Sequence, residues 1–244
     1  MKIIISGYGR MGKMVEQISR ERGHTIVAIW DNSSDREKTH WPKDAVVIDF
    51  SLPETAVENM LFCFREQLPV VVGTTGWYSQ LPDVKKMTEE LNGTLFYAPN
   101  FSLGVNVFFR LNRLMARMMA SLTGYRVSVT EIHHVHKLDA PSGTAIQIAR
   151  DILQFYPELK SWENKENVPD DVLPVISIRR GEIPGTHEVV YRSDVDILSV
   201  KHEAKNRKGF ALGAVLAAEF IQGKKGIFTM RDLLTDRGMP EEAF

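Results

Sequence analysis

Three of the chain's seven histidines fall within four positions, at His133, His134 and His136, and Lys137 follows at once. Clustered histidines near carboxylates suit zinc, but no two histidines are spaced four apart, the single cysteine lies far away, and Lys137 would repel a cation there. No metal is expected. On an extended strand alternate side chains share a face, which groups His134 with His136 and sets His133 and Lys137 together on the other side. A histidine and a lysine on one face suit a small dianionic substrate, because both donate hydrogen bonds and either can deliver a proton when its pKa lies near the working pH. The competing reading is a solvated basic patch around a core histidine. A few residues on, Pro141 sets the entry to a helix and Ser142 stands as its N-cap. The N–H groups of Gly143 and Thr144, with the Thr144 hydroxyl, then form a seat for a carboxylate, a role compatible with ordinary capping.

A second constellation opens the chain. Gly7-Tyr8-Gly9-Arg10-Met11-Gly12 carries the spacing G-x-G-x-x-G between an apolar run and a helical pattern. In that context Gly7 makes a tight turn, Gly9 lets backbone approach a pyrophosphate, and Gly12 lets the helix pack closely on its strand. Asp31 follows the second apolar run, about 20 residues on, where dinucleotide folds place an acid on the adenosine ribose. A turn aspartate beside Asn32-Ser33-Ser34 accounts for the same composition. A carboxylate there favours NADH over NADPH, while Arg36 and Lys38 are near enough in sequence to keep NADPH open. Gly73-Thr74-Thr75 and Pro99-Asn100-Phe101-Ser102 follow later apolar runs and are expected on the nicotinamide side, beyond the carboxyl ends of their strands.

The elements that must carry these groups alternate. Strand-like runs at 2–6, 25–30, 45–50, 69–73 and 94–97 are interleaved with helix-like 10–22, 53–66 and 81–91, which implies a parallel sheet with crossover helices. Leu103 to Leu122 reads as a helix whose Val107, Leu111, Leu114, Met115, Met118 and Leu122 share one face, expected to pack into the core. From Tyr125 the texture changes to strand candidates at 126–134, 172–180, 186–192 and 194–204. The last three lack helices between them, and a domain boundary falls near Leu103. Residues 154–171 are charged and aperiodic, a surface loop or irregular helix. Phe210 to Ile221 is helical, and 226–234 is a compact tail.

The chain has 244 residues, 43% of them hydrophobic and 25% charged, enough for a real core. Its net charge of -1 and pI near 6.7, with no long like-charge block, argue against nucleic acid and point to a small-molecule partner. Cys63, in Leu61-Phe62-Cys63-Phe64, reads as a buried helix position rather than a reactive thiol. The start lacks a signal-like pattern and no apolar run is long enough to span a bilayer, so a soluble cytoplasmic protein without membrane contact is expected.

Glu131 to Ala145 resembles the signature E-x-H-H-x-x-K-x-D-A-P-S-G-T-A of the 4-hydroxy-tetrahydrodipicolinate reductases. The resemblance extends to Gly7–Gly12, Asp49-Phe50-Ser51, Gly73-Thr74-Thr75, Asn100-Phe101-Ser102, Arg179 with Gly181–Glu188, and 226–230, essentially the whole chain. It implies an α/β fold with a Rossmann-like dinucleotide-binding domain, residues 1–103 completed by 208–244. It also implies a smaller α+β domain with an open mixed sheet, residues 104–207, for substrate binding and oligomerisation, and a homotetramer. By the same resemblance His133 is the catalytic acid/base and Lys137 the proton donor, while His134, Gly143 and Thr144 contact substrate carboxylates. The reaction it implies is NAD(P)H-dependent reduction of a small cyclic dicarboxylate, with hydride delivered to C4 of the dehydrated ring and a proton to C3. Two departures stand out. The glycine loop is one residue shorter than the family's G-x-x-G-R-M-G, and Asn32 stands where some members carry an arginine for the NADP phosphate.

Two other readings share the glycine loop. A relative of aspartate or homoserine dehydrogenase would keep the two-domain plan without this signature. A redox sensor would bind NAD(H) but would not need clustered proton donors such as His133 and Lys137.

Overall fold

A computed structural model of the chain describes residues 1–31, 36 and 41–240; Asn32 and Lys38 lie outside them. Two compact units emerge, one from Met1–Leu103 with the segment that starts at Lys208, the other from Gly104–Arg207.

In the first unit β1 (Lys2–Ser6), α1 (Arg10–Glu21), β2 (Thr25–Trp30), β3 (Ala45–Asp49), α2 (Pro53–Arg65), β4 (Val70–Val72), α3 (Leu81–Glu90) and β5 (Thr94–Tyr97) follow in order. The central strands β3 and β4 are buried at every residue, as expected of parallel strands covered on both faces. The sheet is parallel throughout, in the order β11-β5-β4-β3-β1-β2, where β11 is the late strand Gly226–Phe228. One face packs on α2 and α3, where Cys63 is fully buried and burial pushes its thiol well above the usual range. The other face packs on α1 and α6 (Lys208–Ile221), whose Ala211, Ala214, Val215 and Ala218 meet Ile5, Ile48, Val71 and Phe96. Gly213 admits this helix closely, because a Cβ there would sit 1.7 Å from the carbonyl oxygen of Phe101. The expected compact tail resolves into β11 (Gly226–Phe228), which adds a sixth strand beside β5, and α7 (Met230–Asp236).

The second unit holds α4 (Leu103–Met119, apart from its first residue), β6 (Arg126–His133), α5 (Gly143–Leu153), β7 (Ser161–Glu163), β8 (Val172–Arg179), β9 (Thr186–Arg192) and β10 (Ile197–Glu203). Its mixed sheet runs β10-β9-β6-β8-β7, with β6 and β8 parallel and β9 antiparallel to both β6 and β10. Val127, Val129, Val175, Val189 and Tyr191 face α4 and α5.

Four expectations need correction. Residues 154–171 are not all loop: β7 pairs with β8 there, a three-residue edge strand too short to leave a periodic signal. The last strand starts at Ile197, after a turn in which Ser193 N–H donates to the Asp196 carbonyl. On α4 the buried positions are Val105, Phe108, Asn112, Ala116 and Met119, whereas Leu111, Leu114 and Met118, with Leu122 beyond the helix end, are exposed. This helix carries apolar residues on two faces, and periodicity cannot say which one meets the core. Finally, β6 ends at His133 and the chain turns, Lys137 N–H donating to the His134 carbonyl. Strand alternation therefore does not bring Lys137 onto the face of His133.

Candidate active site

The first sheet changes direction between β1 and β3, since the chain leaves β1 for β2 on one side and later returns to pair β3 on the other. Ligands of open α/β sheets bind beyond the strand ends at such a point. The Gly7 N–H donates to Trp30 O at 2.8 Å and the Phe50 N–H to Ser6 O at 2.8 Å, so the loops after β1, β2 and β3 are tied together. Gly7 has φ +83, and a Cβ there would lie 2.4 Å from the Phe50 carbonyl; one on Gly12 would lie 2.1 Å from the Gly7 carbonyl. Gly9, by contrast, faces open space. Helix α1 starts with neither a side-chain cap nor an acidic residue in its first turn, which leaves its first N–H groups to a phosphate. These features fit a dinucleotide, whose pyrophosphate needs oriented donors and no side chain in the way. A cavity of about 430 Å³ lies beside them, bounded by Gly7, Tyr8, Gly9, Asp31, Arg36 and Ser51, among others. At its rim Tyr8 N–H donates to Asp31 Oδ1 at 3.1 Å.

Asp49, at the end of β3, is fully buried. Its carboxylate accepts from the hydroxyls of Ser6 and Thr74, both at 2.6 Å, from the Ser51 hydroxyl at 2.9 Å and from the Asn59 amide at 2.9 Å. One anion thus gathers the ends of β1 and β3, the loop after β4 and helix α2. Thr74 is consequently a buried support, and Gly73 is required by the Phe50 ring, 2.2 Å from where its Cβ would be. Thr75 and Pro99 are exposed, and the Asn100 side chain accepts from Ser102 N–H at 2.9 Å. Phe101 is buried in the core, Met11 packs against that core, and Arg10 is exposed. Sequence reasoning did not pick out the cavity walls from Phe50 to Leu52, Thr55 and Asn59; the Asp49-Phe50-Ser51 motif was the available signal.

In the second unit, sheet register builds the other cluster. Glu131 stands opposite His187 on β9 and Ser177 on β8, and His133 stands opposite Arg179. Glu131 is fully buried, and its Oε1 accepts from Arg179 Nη2 at 3.0 Å and from the Ser142 N–H at 3.0 Å. Its Oε2 lies 2.8 Å from His133 Nδ1 and 3.9 Å from His187 Nε2. The 2.8 Å approach is off the ring N–H direction and is not a well-formed hydrogen bond here. Burial by itself would raise the Glu131 carboxyl. Its contacts with His133, Ser142, Ser177 and Arg179 outweigh that and hold it well below the usual carboxylate range. His187 is pushed down to about 3, chiefly by burial and then by the charge of His133. Glu131, His133 and His187 also bring three ligand-type atoms within 4.8 Å of one another. Arg179 beside Glu131 disfavours a cation there, so the arrangement reads as a proton-handling cluster.

Around it lie the other residues singled out from sequence. Lys137 is paired with both oxygens of Asp139, at 2.8 and 2.9 Å. Arg207 donates to His134 Nε2 at 3.2 Å, which puts the His134 proton on Nδ1, a buried atom without a partner. An orphaned buried donor of this kind suits a ligand oxygen. Ser142 caps α5 as expected, accepting from Ala145 N–H at 3.2 Å, and the space beside Gly143 is open. Glu131, Arg179 and His187 fall within the motifs that carry the resemblance but were given no role, because only the strand register brings them together.

A Rossmann-like unit with a crevice that fits a dinucleotide, joined in one chain to a mixed-sheet unit with clustered histidines, is the plan of a dinucleotide-binding oxidoreductase. Two family models match the chain, "Dihydrodipicolinate reductase, N-terminus" over residues 1–101 and "Dihydrodipicolinate reductase, C-terminus" over residues 104–234. The chain belongs to the dihydrodipicolinate (4-hydroxy-tetrahydrodipicolinate) reductase family. It is 46% identical to the 4-hydroxy-tetrahydrodipicolinate reductase of Christiangramia forsetii, over 97% of this chain and 98% of that one. With the reductase of Lawsonia intracellularis the identity is 32%, over 95% and 98%. The fold is similar to that of the dipicolinate-bound dihydrodipicolinate reductase from Paenisporosarcina sp. TG-14, with a TM-score of 0.75 at 22% identity over 94% of this chain and 97% of that one.

Proposed function

We propose that this protein reduces 4-hydroxy-tetrahydrodipicolinate to tetrahydrodipicolinate with NAD(P)H, in the diaminopimelate route to lysine. The observation that carries the reading is the cluster around His133, set within a chain 46% identical to a named reductase over nearly its whole length. When bound, the reduced nicotinamide supplies the hydride for C4 of the dehydrated ring. Gly7, Gly9 and the start of α1 hold the pyrophosphate, with Asp31 on the adenosine ribose; Thr75 and Asn100 serve the nicotinamide end. The N–H groups of Gly143 and Thr144, the Thr144 hydroxyl and His134 Nδ1–H receive the substrate carboxylates. His133 and Lys137 hold and deliver the proton that C3 gains. A dicarboxylate ligand is in keeping with the dipicolinate bound by the Paenisporosarcina relative. The test is NADH consumption with freshly generated 4-hydroxy-tetrahydrodipicolinate. Turnover supports the reading, and cofactor binding without turnover would favour a sensor.

NADH is the favoured cofactor and NADPH the alternative. Asp31 would repel a 2′-phosphate, and the buried Arg36 is already engaged by Glu58 and Asn59. In side-by-side titrations NADH should bind at least as tightly as NADPH, and Asp31→Ala should weaken NADH selectively. A strong NADPH preference left unaltered in Asp31→Ala would show that the wrong residue carries the choice. Thr144→Val removes one donor from the carboxylate seat and should raise KM for the substrate more than it changes NADH affinity, as steady-state kinetics and direct titration would separate. Equal losses in both would indicate a capping defect.

The assembly is a homotetramer in this reading. It is supported by apolar surface that the chain leaves uncovered: Leu111, Leu114 and Met118 on α4 with Leu122 just after it, and Ile197 and Leu198 on the edge strand β10 with Val195 just before it. A cytoplasmic location is part of the same reading, in keeping with a biosynthetic family; among the described residues no helix is long and apolar enough to cross a membrane.

A further inference from the structure

We infer that Glu131 is a positioning residue for this reaction, fixing the tautomer and orientation of His133 while tying that ring to the loop that bears Lys137 and the carboxylate seat. The inference rests on the activity proposed above. Its first support is the division of labour between the two carboxylate oxygens. Oε1 is taken up by the Ser142 N–H and by Arg179, whose guanidinium also donates to the carbonyls of Lys137, at 3.3 Å, and Asp139, at 2.5 Å. The segment 137–142 is therefore stapled to Glu131 from both ends.

Oε2 is left facing two imidazoles, and the hydrogen bonds decide between them. Ser142 Oγ accepts from the Ala145 N–H, so its own proton is free to go to His187 Nε2, 3.2 Å away. In either tautomer His187 Nε2 is engaged by the Ser142 hydroxyl and lies 3.9 Å from Oε2, beyond hydrogen-bond reach. The nitrogen that meets Oε2 is His133 Nδ1, at 2.8 Å. A full carboxylate beside it selects the form with the proton on Nδ1, which reserves Nε2 for the exchanging proton. Donation from Nε2 leaves a neutral ring that still turns Nδ1–H to Glu131, and solvent returns the proton afterwards. Catalytic contacts of this kind are often poorly aligned without ligand and tighten when it binds.

Gly185 supplies an independent observation. A Cβ at this position would come within 2.9 Å of His133 Nε2, so β9 is approached through a residue that leaves that nitrogen uncovered by a side chain. The other charged or titratable groups facing Glu131 are Arg179 from β8, His187 from β9 and Asp139 from the loop, while His202 from β10 and Lys137 act on His187. Of all the groups around Oε2, His133 brings the nearest ring nitrogen, at 2.8 Å against 3.9 Å for His187.

The test is Glu131→Gln in the full-length protein, with Glu131→Asp as the conservative partner. The glutamine keeps the shape and can still accept at one atom, but its amide would offer His133 Nδ1 a donor and favour the opposite tautomer. Imidazole ¹⁵N chemical shifts are expected to put the His133 proton on Nδ1 in the unaltered protein and to move it to Nε2 in Glu131→Gln. The same variant should lose about 10²-fold or more in kcat, with substrate KM and NADH affinity changed far less, as when an orienting carboxylate is replaced by its amide in a triad. Glu131→Asp should recover part of kcat. An Nε2–H tautomer in the unaltered protein, or a tautomer unchanged in Glu131→Gln, overturns the inference whatever the activity. Full kcat in Glu131→Gln overturns it too. Absence of turnover in the unaltered protein instead defeats the proposed reaction, and the nitrogen shifts distinguish the two failures.

Discussion

Alanine at His133 or at Lys137 is expected to lower kcat by about 10²-fold or more, the scale for losing a positioned acid or base, while NADH binding and assembly persist. The two losses have different structural contexts. His133 is buried against Glu131, so its removal also takes away the ring nitrogen nearest to Oε2. Lys137 follows a turn and is held by Asp139, so its ammonium must leave that pair to serve the substrate. Lys137→Arg keeps the charge and can keep the pairing, but arginine does not release a proton near neutral pH and presents a different donor geometry. It should not restore turnover. Steady-state kinetics with a parallel NADH titration decides the matter. Full activity in either alanine variant would move the chemistry to another group and leave this segment with a binding role.

The second large effect is expected at Asp49. Its replacement by alanine removes the shared, fully buried acceptor of Ser6, Ser51, Asn59 and Thr74. Hydrogen bonds to a charged group are worth roughly 1.5–3 kcal/mol each, but the freed hydroxyls can partly re-pair, so a net loss of about 3 kcal/mol is expected in urea denaturation. Because those donors sit on the loops around the glycine turn, NADH should also bind about tenfold more weakly, equivalent to ~1.4 kcal/mol. Asp49→Asn keeps the shape and one acceptor and should fall between. Unchanged NADH affinity in a folded Asp49→Ala protein would limit this network to holding the sheet together.

Much of this was legible from local signals. The glycine loop and the Ser142 cap depend on residues a few positions apart, and the first β–α–β stretch is written in apolar runs and helical spacing. Four things were not. The pocket walls at Phe50, Ser51 and Asn59 follow from β3 lying beside β1, a strand order that no single run announces. The partnership of Glu131 with Arg179 and His187 spans 48 and 56 positions and exists only through register. Lys137 was assigned to a face by extending β6 beyond His133, where backbone bonding had already given way to a turn. The twofold apolar character of α4 likewise had no local solution, because both stripes satisfy the same period.

The late arrival of α6 sets a timetable for synthesis. Ile5, Ile48, Val71 and Phe96 lie on the face of the first sheet that this helix helps to cover, yet the helix begins only at Lys208. At roughly 5–20 residues per second, a ribosome needs several seconds to tens of seconds to cross the intervening stretch. Throughout that interval the nascent sheet has part of its apolar face bare and lacks the strand that flanks β5. The long sequence separation of these contacts slows closure further. The cofactor fold is thus begun first and completed last, which makes the growing chain a natural client for chaperones that shield exposed apolar surface.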